Sequence, residues 1–469
     1  MSALAIEPRD NRPNRLQIRC SVRVELRILR GFFAVACHWS IRWMTLVFAG
    51  VWCAGGMALA ENWPNWRGPN NTGISGETGL PLHWSPTENI AWKAKLPERG
   101  NSTPIVWDDR VFLTQAVENE QRRTLMCFDR AGGELLWQVG TVYTAKEPTH
   151  QTNPFCSASP VTDGERIIAW FGSAGMFCYD FDGKELWRRD MGIQEHEWGY
   201  AASPILHGDL CILSFGPGTR EFVEAVNKKT GQLVWQFDLP APQTDDTPND
   251  EKTPDQRNAE LRGSWSTPLV IHTAGRDELI LTLHERVIAL NPLTGRQLWY
   301  CDGLGSLVYT SPMWGDGVLV ALGGYHRACL AVRPGGSGDV TETMRLWHQP
   351  KSKLRLGSGV IHQGHIYVND MQGVAECQDL DTGDPVWQER LKSSTDNNAT
   401  WSSMILTADE RLYMLNQAGD TFILRASPQF ELLGTKSLGE HTNASIVISD
   451  GQIFIRTDEH LWCVGTRRE

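Results

Sequence analysis

The 469-residue chain carries 44 Lys+Arg against 55 Asp+Glu, a formal charge of −11. That balance leaves no basic footprint for nucleic acid or anionic lipid, so no nucleic-acid partner is expected. Twenty Trp and 44 Gly exceed ordinary usage and suit a sheet protein with many tight turns and a recurring aromatic position.

The first 60 residues stand apart. Arg9, Arg12, Arg15, Arg19, Arg23, Arg27, Arg30 and Arg42 precede an uncharged run at 43–57, and Ala58-Leu59-Ala60 supplies the small-x-small pattern that signal peptidase accepts before Glu61. Residues 1–60 read as a signal peptide, with an uncleaved N-terminal anchor as the alternative and as the sole expected membrane attachment. Export to the periplasm or cell envelope follows, and a monomer is expected. Residues 61–89 form an N-terminal extension, expected to pack on the domain that fills 90–469.

That domain opens with a lone strand pattern at 90–96 containing Trp92. Small-residue anchors then recur, several followed by Pro: Ser102-Thr103-Pro104, Ala158-Ser159-Pro160, Ala202-Ser203-Pro204, Ser266-Thr267-Pro268 and Thr310-Ser311-Pro312. Weaker copies are Gly357-Ser358-Gly359, Trp401-Ser402-Ser403 and Asn443-Ala444-Ser445. Each leads into a short apolar run, a turn such as Asp163-Gly164 or Asp450-Gly451, and a second apolar run, which is a hairpin pattern.

A second signature is an Asp or Asn, a turn ending in Gly, and a Trp four residues after that Gly. It occurs at Asp129/Gly133/Trp137, Asp180/Gly183/Trp187, Asn227/Gly231/Trp235, Asn291/Gly295/Trp299 and Asp379/Gly383/Trp387, with Trp347 in a degenerate copy. The Gly suits a positive φ between a third and a fourth strand, and the Trp suits a wedge between neighbouring units. The spacing predicts an all-β, eight-bladed β-propeller of four-stranded antiparallel blades. After the strands at 452–456 and 460–464 the eighth blade has no fourth strand of its own. Residues 90–96 therefore complete it and close the ring, with seven blades as the alternative.

The register also places Cys127, Cys178, Cys377 and Cys463 where Ala225 and Ala289 stand in other copies, so these are expected to be free, buried packing residues. No pairing rule emerges for Cys156, Cys211, Cys301 and Cys329.

The Asp/Asn-x-x-Thr-Gly-x-x-x-Trp pattern, clearest at 227–235 and 291–299, resembles the tryptophan-docking motif of pyrroloquinoline-quinone-like (PQQ-like) repeats. Trp92, Trp137, Trp187, Trp235, Trp299, Trp347 and Trp387 are the docking residues this implies. The leading segment Trp63-Pro64-Asn65-Trp66-Arg67-Gly68-Pro69-Asn70 resembles the start of secreted PQQ-like propellers abundant in planctomycetes. Wider relatives include quinoprotein alcohol dehydrogenases and the propeller lipoprotein of the outer-membrane β-barrel assembly machine, so the resemblance implies architecture more than activity.

A quinoprotein dehydrogenase needs a gripped quinone, a cation held by oxygen ligands and a carboxylate base. No two cysteines are adjacent, no Cys-x-x-Cys-His occurs, and the family's ligand set finds no residue-by-residue match, so neither catalytic residues nor a metal site are assigned; PQQ with Ca²⁺ stays only as what the resemblance allows. Asp396, Asn398 and Thr400 begin like a calcium loop, but Trp401 replaces the required Gly. Glu195-His196-Glu197 reads as surface, Gly335-Gly336-Ser337-Gly338 as a turn, and the acidic connection 243–260 as a solvated loop.

A site, if the fold carries one, belongs where the connections preceding each anchor converge on one mouth of the channel. These connections offer Asn101, His150, Asn153, Glu197, Trp198, Arg262, Trp265, Tyr309, Arg355, Asn398, Trp401 and His441. Such residues suit strand capping and suit stacking on a planar or sugar-like ligand. The expected function is a noncatalytic cell-envelope propeller that binds an envelope protein or a small ligand at the channel face. The alternatives are a quinone-dependent oxidoreductase and a carbohydrate-binding or carbohydrate-active protein.

Overall fold

The anchor-turn-strand repetition produces hairpins, and the hairpins pair into blades. The computed structural model describes residues 61–239, 262–324 and 328–467. Residues 1–60, expected from the sequence to be a signal peptide, and the acidic connection 243–260 lie outside the described residues. Eight four-stranded antiparallel blades follow one another: blade 1 spans 105–142, blade 2 161–189, blade 3 205–238, blade 4 269–302, blade 5 313–349, blade 6 360–390 and blade 7 405–437. Blade 8 takes three strands from 447–464, and Ile90–Lys95 is its fourth. That strand runs antiparallel to His460–Val464, with Trp92 opposite Cys463 and Lys95 opposite His460. The ring thus has eight blades, and the expected N-terminal closure is present.

The anchors do more than start strands. The backbone N–H of Thr103 donates to Ser159 Oγ at 3.0 Å, that of Ser159 to Ser203 Oγ at 3.0 Å, and that of Ser203 to Thr267 Oγ1 at 3.0 Å. Thr267 donates to Ser311 at 2.8 Å, Ser311 to Ser358 at 2.9 Å, and Ser358 to Ser403 at 3.0 Å. Ser403 donates to Ser445 at 3.0 Å, and Ser445 returns to Thr103 Oγ1 at 3.0 Å. The result is a closed, one-directional girdle with one hydroxyl per blade. In the last two anchors the girdle hydroxyl is the third residue of the triplet, so the true register there starts one residue later than the sequence pattern indicates. Pro104, Pro160, Pro204, Pro268 and Pro312 follow the girdle residue and remove a donor from an inner edge that has no further strand to pair with.

At the outer strands, indole N–H groups cross to the next blade. Trp92 donates to Arg130 O (2.7 Å), Trp137 to Phe181 O (3.0 Å), Trp187 to Lys228 O (3.0 Å), Trp235 to Pro292 O (2.9 Å), Trp347 to Leu380 O (2.9 Å) and Trp387 to Ser427 O (3.0 Å). In five of these the acceptor directly follows the Asp or Asn of the turn. Trp299 differs: its N–H goes to Glu278 Oε2 of its own blade at 2.7 Å. Blade 5 has no tight turn for Trp299 to meet, because an insert carrying the short helix Thr341–Met344 separates its last two strands. Gly231 shows why the turn needs glycine. Its φ is +70°, and a Cβ there would lie 2.7 Å from the Trp187 ring.

All eight cysteines among the described residues are buried and free. Burial pushes the Cys127 and Cys156 thiols up to about 12, so both stay protonated and inert. Among the described residues no helix is long and apolar enough to cross a membrane.

Two substitutions test these ties. Ser445→Ala strands the Ser403 N–H and is expected to cost about 1–3 kcal/mol in urea unfolding, with Ser445→Thr retaining most of the stability. Gly231→Ala combines a positive φ with a clash and is expected to destabilise by at least about 1–3 kcal/mol, measured the same way.

Candidate functional site

The connections entering the inner strands gather above the girdle and enclose a cup of about 480 Å³. Five girdle residues, Thr103, Ser159, Ser203, Thr267 and Ser445, line it. The remaining lining falls into sectors. The connections into blades 8, 1 and 2 contribute Asn443, Asn101, His150, Thr152 and Asn153, all polar. Those into blades 3, 4 and 5 contribute Trp198, Trp265 and Tyr309. Leu354, Leu356 and Met371 follow at blade 6, and Trp401 at blade 7. Among the described residues, no Asp, Glu, Lys or Arg lines the cup.

The aromatic sector is braced by backbone. Gly263–Ser264 pairs in parallel with Leu307–Val308, so the connections into blades 4 and 5 form a small ladder. Trp265 follows one strand of it and Tyr309 the other, with ring centroids 5.2 Å apart. Trp198 lies 5.8 Å from Trp265 and 6.3 Å from Tyr309, and Trp265 Nε1 donates to Gly199 O at 2.9 Å. His196 sits edge-on to Trp265 at 5.0 Å, and its Nδ1 accepts from the Trp198 N–H at 3.1 Å. Burial lowers the His196 pKa, which favours a neutral ring backing this wall. Its neighbours in the Glu195-His196-Glu197 triplet diverge: Glu195 accepts from the Thr219 hydroxyl and Glu197 is exposed.

The opposite end of the channel is crossed by the extension. Trp63 exchanges backbone hydrogen bonds with Val106 of blade 1, Pro64 O accepts from Thr162 of blade 2, and Ser75 donates to Leu406 O of blade 7. Arg67, 1% exposed, reaches blade 6, where its guanidinium donates to Ser358 O (3.1 Å) and Gly359 O (2.6 Å) as well as to Thr72 O (2.7 Å). Trp66, next to this bolt, lines the cup. The channel is therefore blind on that side.

Of the twelve sequence candidates, Asn101, His150, Asn153, Trp198, Trp265, Tyr309 and Trp401 line the cup. Glu197 stands exposed outside it. Arg355 turns into the blade, where it donates to Glu376 Oε2 at 2.7 Å beside Lys353, and Leu354 faces the lumen instead. His441 pairs with Asp458 at 3.0 Å while Asn443, two residues on, lines the cup. Asn398 accepts from the Ser393 N–H at 3.0 Å and lines a neighbouring depression with Lys353, Asp370, Arg390 and Asp396. Sequence reasoning missed Trp66, Ser157, Ala201, Leu356 and Met371. Trp66 was visible as part of a distinctive segment, but nothing local says that this segment crosses the channel.

Arg262 lies behind the aromatic wall, with Nη2 2.8 Å from His284 Nε2, while His284 Nδ1 is 3.5 Å from Glu221 Oε2. Burial pushes the Glu221 carboxyl up to about 7, and burial followed by the Arg262 charge presses His284 down to about 4. Elsewhere, Glu440, Glu459 and His460 bring ligand atoms within 4.8 Å of one another, but Glu440 is already engaged by His460 Nδ1 at 2.9 Å and by the Thr457 hydroxyl.

The cup does not fit PQQ with a divalent cation. PQQ is a tricarboxylate, and anionic groups removed from water need cationic partners that no described lining residue supplies. Among the described residues no lining carboxylate offers itself as cation ligand or as base.

Eight blades tied by inner hydroxyls and spanned at the rim by indoles make this chain a β-propeller of the PQQ-like type. The family described as outer membrane protein assembly factor BamB matches residues 75–191 and 121–389, more than half of the sequence, and the chain belongs to it. No curated protein sequence matches. Among solved structures, BamB from Moraxella catarrhalis is similar at 14% identity and TM-score 0.55, over 80% of this chain and 98% of that one. A europium-containing methanol dehydrogenase is similar at 13% and 0.61, over 84% and 89%. Quinohemoprotein alcohol dehydrogenase from Comamonas testosteroni is similar at 12% and 0.62, over 87% and 81%. At such identities the likeness establishes the fold alone.

The buried Glu221 gives a pH test. Its folded pKa of about 7 lies above the ordinary 4.5, so folding binds a proton and stability falls as pH rises from about 4.5 to 7. His284, lowered from 6.5 to about 4, acts in the opposite sense over about pH 4–6.5. Glu221→Gln is expected to raise the melting temperature at pH 8 and to leave it nearly unchanged at pH 4, measured by scanning calorimetry.

Proposed function

We propose that this chain is a noncatalytic cell-envelope propeller that binds a partner or small ligand at the channel mouth. The observation that carries the proposal is the cup: connections from all eight blades converge on it, yet its described lining holds no Asp, Glu, Lys or Arg, and its imidazole–hydroxyl contact, His150 Nδ1 with Thr152 Oγ1 at 2.8 Å, has no carboxylate of the described lining to orient it. Aromatic rings and amides there recognise shape and hydrogen bonding without driving a reaction. The family description and the likeness to Moraxella catarrhalis BamB support an envelope setting and protein partners, as does the secretion pattern ending at Ala60.

Quinone-dependent oxidation is the second reading, favoured by fold likeness to two alcohol-oxidising dehydrogenases and opposed by a described lining without Asp, Glu, Lys or Arg. Calorimetry with PQQ and Ca²⁺, followed by dye-linked oxidation of primary alcohols, separates the two. Neither saturable binding nor turnover is expected; binding with turnover overturns the noncatalytic assignment. N-terminal sequencing of protein from the periplasmic fraction is expected to begin at Glu61.

A further inference from the structure

We infer that the cup receives the end of a neutral saccharide chain. This rests on the channel mouth being the binding face proposed above, and it names the occupant. Three properties of the cup converge on that chemistry: the absence of Asp, Glu, Lys and Arg from its described lining, its two-sidedness and its blind end.

Neutrality excludes most competitors. A nucleotide brings phosphate and a peptide end brings an ammonium or carboxylate, and burying either without a counter-charge is costly. The described lining offers no counter-charge. The end of a neutral saccharide chain brings no charge.

Two-sidedness matches a pyranose. One arc presents Trp198, Trp265 and Tyr309, flat surfaces for the C–H face of a sugar ring. The other presents amides whose orientation is fixed by protein contacts. Asn153 Nδ2 donates to Trp198 O (2.7 Å) and Tyr200 O (3.1 Å), and Asn101 Nδ2 donates to Thr152 O (3.0 Å), so both present their carbonyl oxygens as acceptors. Asn443 is reversed: its Oδ1 accepts from Gln417 Nε2 at 2.7 Å, which leaves its N–H₂ as donor. His150 Nδ1 accepts from the Thr152 N–H at 3.3 Å, which leaves Nε2 as the ring's donor. Sugar hydroxyls both donate and accept, and a mixed donor–acceptor arc satisfies them where a single-sign arc would not.

The blind end sets the pose. The extension and Trp66 cross the far side, so a chain cannot thread the channel and only a terminus can enter. About 480 Å³ lies within the range of ~300–1,000 Å³ typical of small-ligand sites.

The test is calorimetry and tryptophan fluorescence on the mature chain with four trisaccharides. Three are neutral: β-1,4-linked glucose, β-1,4-linked N-acetylglucosamine and α-1,4-linked glucose. The fourth is α-1,4-linked galacturonate, the charged counterpart. At least one neutral trisaccharide is expected to bind and shift the emission, and the galacturonate is not. Affinity is expected to fall about tenfold or more in Trp198→Ala and in Asn443→Ala, the loss of one good contact. Trp198→Phe, which keeps a ring face, is expected to retain most of it, and melting curves confirm that each variant is folded. Failure of every neutral trisaccharide to bind, or binding indifferent to both alanine variants, overturns the proposal. A proline-rich peptide serves as the separating probe. If it binds in a Trp198-dependent way while the sugars do not, the saccharide assignment falls and the mouth remains a binding face. If no probe binds, both fall.

Discussion

The girdle of eight hydroxyls is the interaction on which the rest of the molecule depends. Each blade's innermost strand has one unpaired edge, and its first backbone N–H must find an acceptor. The neighbouring blade's Ser or Thr supplies it. Because every bond runs in the same direction, each blade both gives and takes one, and the set is satisfied only when the ring closes. Ser445 to Thr103 is the bond that completes it. The girdle therefore holds the blades in angular register, and the lumen inherits a fixed diameter at which the lining side chains are presented.

With register fixed at the centre, the rim can vary. Six indoles reach the next blade's turn, but Trp299 is diverted to Glu278 and the outer strand of blade 7 carries Gly434 opposite Ile423, where other blades place Trp. Blade 5 accommodates an insert between its last two strands without loss of the ring. The mouth varies too. A polar arc, an aromatic arc braced by a two-stranded ladder, and an aliphatic patch succeed one another around a girdle that is nearly uniform.

Much of the fold was legible because the physics repeats. Ser/Thr-Pro anchors and Asp/Asn turns ending in Gly each answer a local requirement, and the five clear copies of each outvote the degenerate ones. The closure was legible by subtraction, since a blade lacking its fourth strand matched a lone strand at 90–96. The mouth was legible only in part. The connections could be named, but which residue of each faces inward depends on a twist set by its hydrogen bonds. At 353–355 the buried Glu376 draws Lys353 and Arg355 outward and leaves Leu354 for the lumen. At 441–443 Asp458 draws His441 away and Asn443 turns in. In both cases a charge on another segment, Glu376 in a strand and Asp458 in a turn, decided the outcome, and sequence order does not reveal that partner. Trp66 was hidden for a similar reason, because its role depends on the bolt Arg67 makes with blade 6.

The closure at blade 8 also constrains how the molecule comes into being. The strand at Ile90–Lys95 is made among the first of the domain, while its partner, His460–Val464, is made last. Until the last strand is made, the early strand has no partner and its hydrogen-bonding edge stays open, as does one flank of blade 1. Pairing ends about 370 residues apart is slow relative to local hairpin formation, and open edges invite association with other chains. A mesh of seven self-sufficient hairpin blades with one long-range seam therefore makes maturation all-or-none at a single place. A chain cut short near its C-terminus loses the seam and leaves both edges exposed, which marks it for holdases and proteases even though most of its sheets are intact.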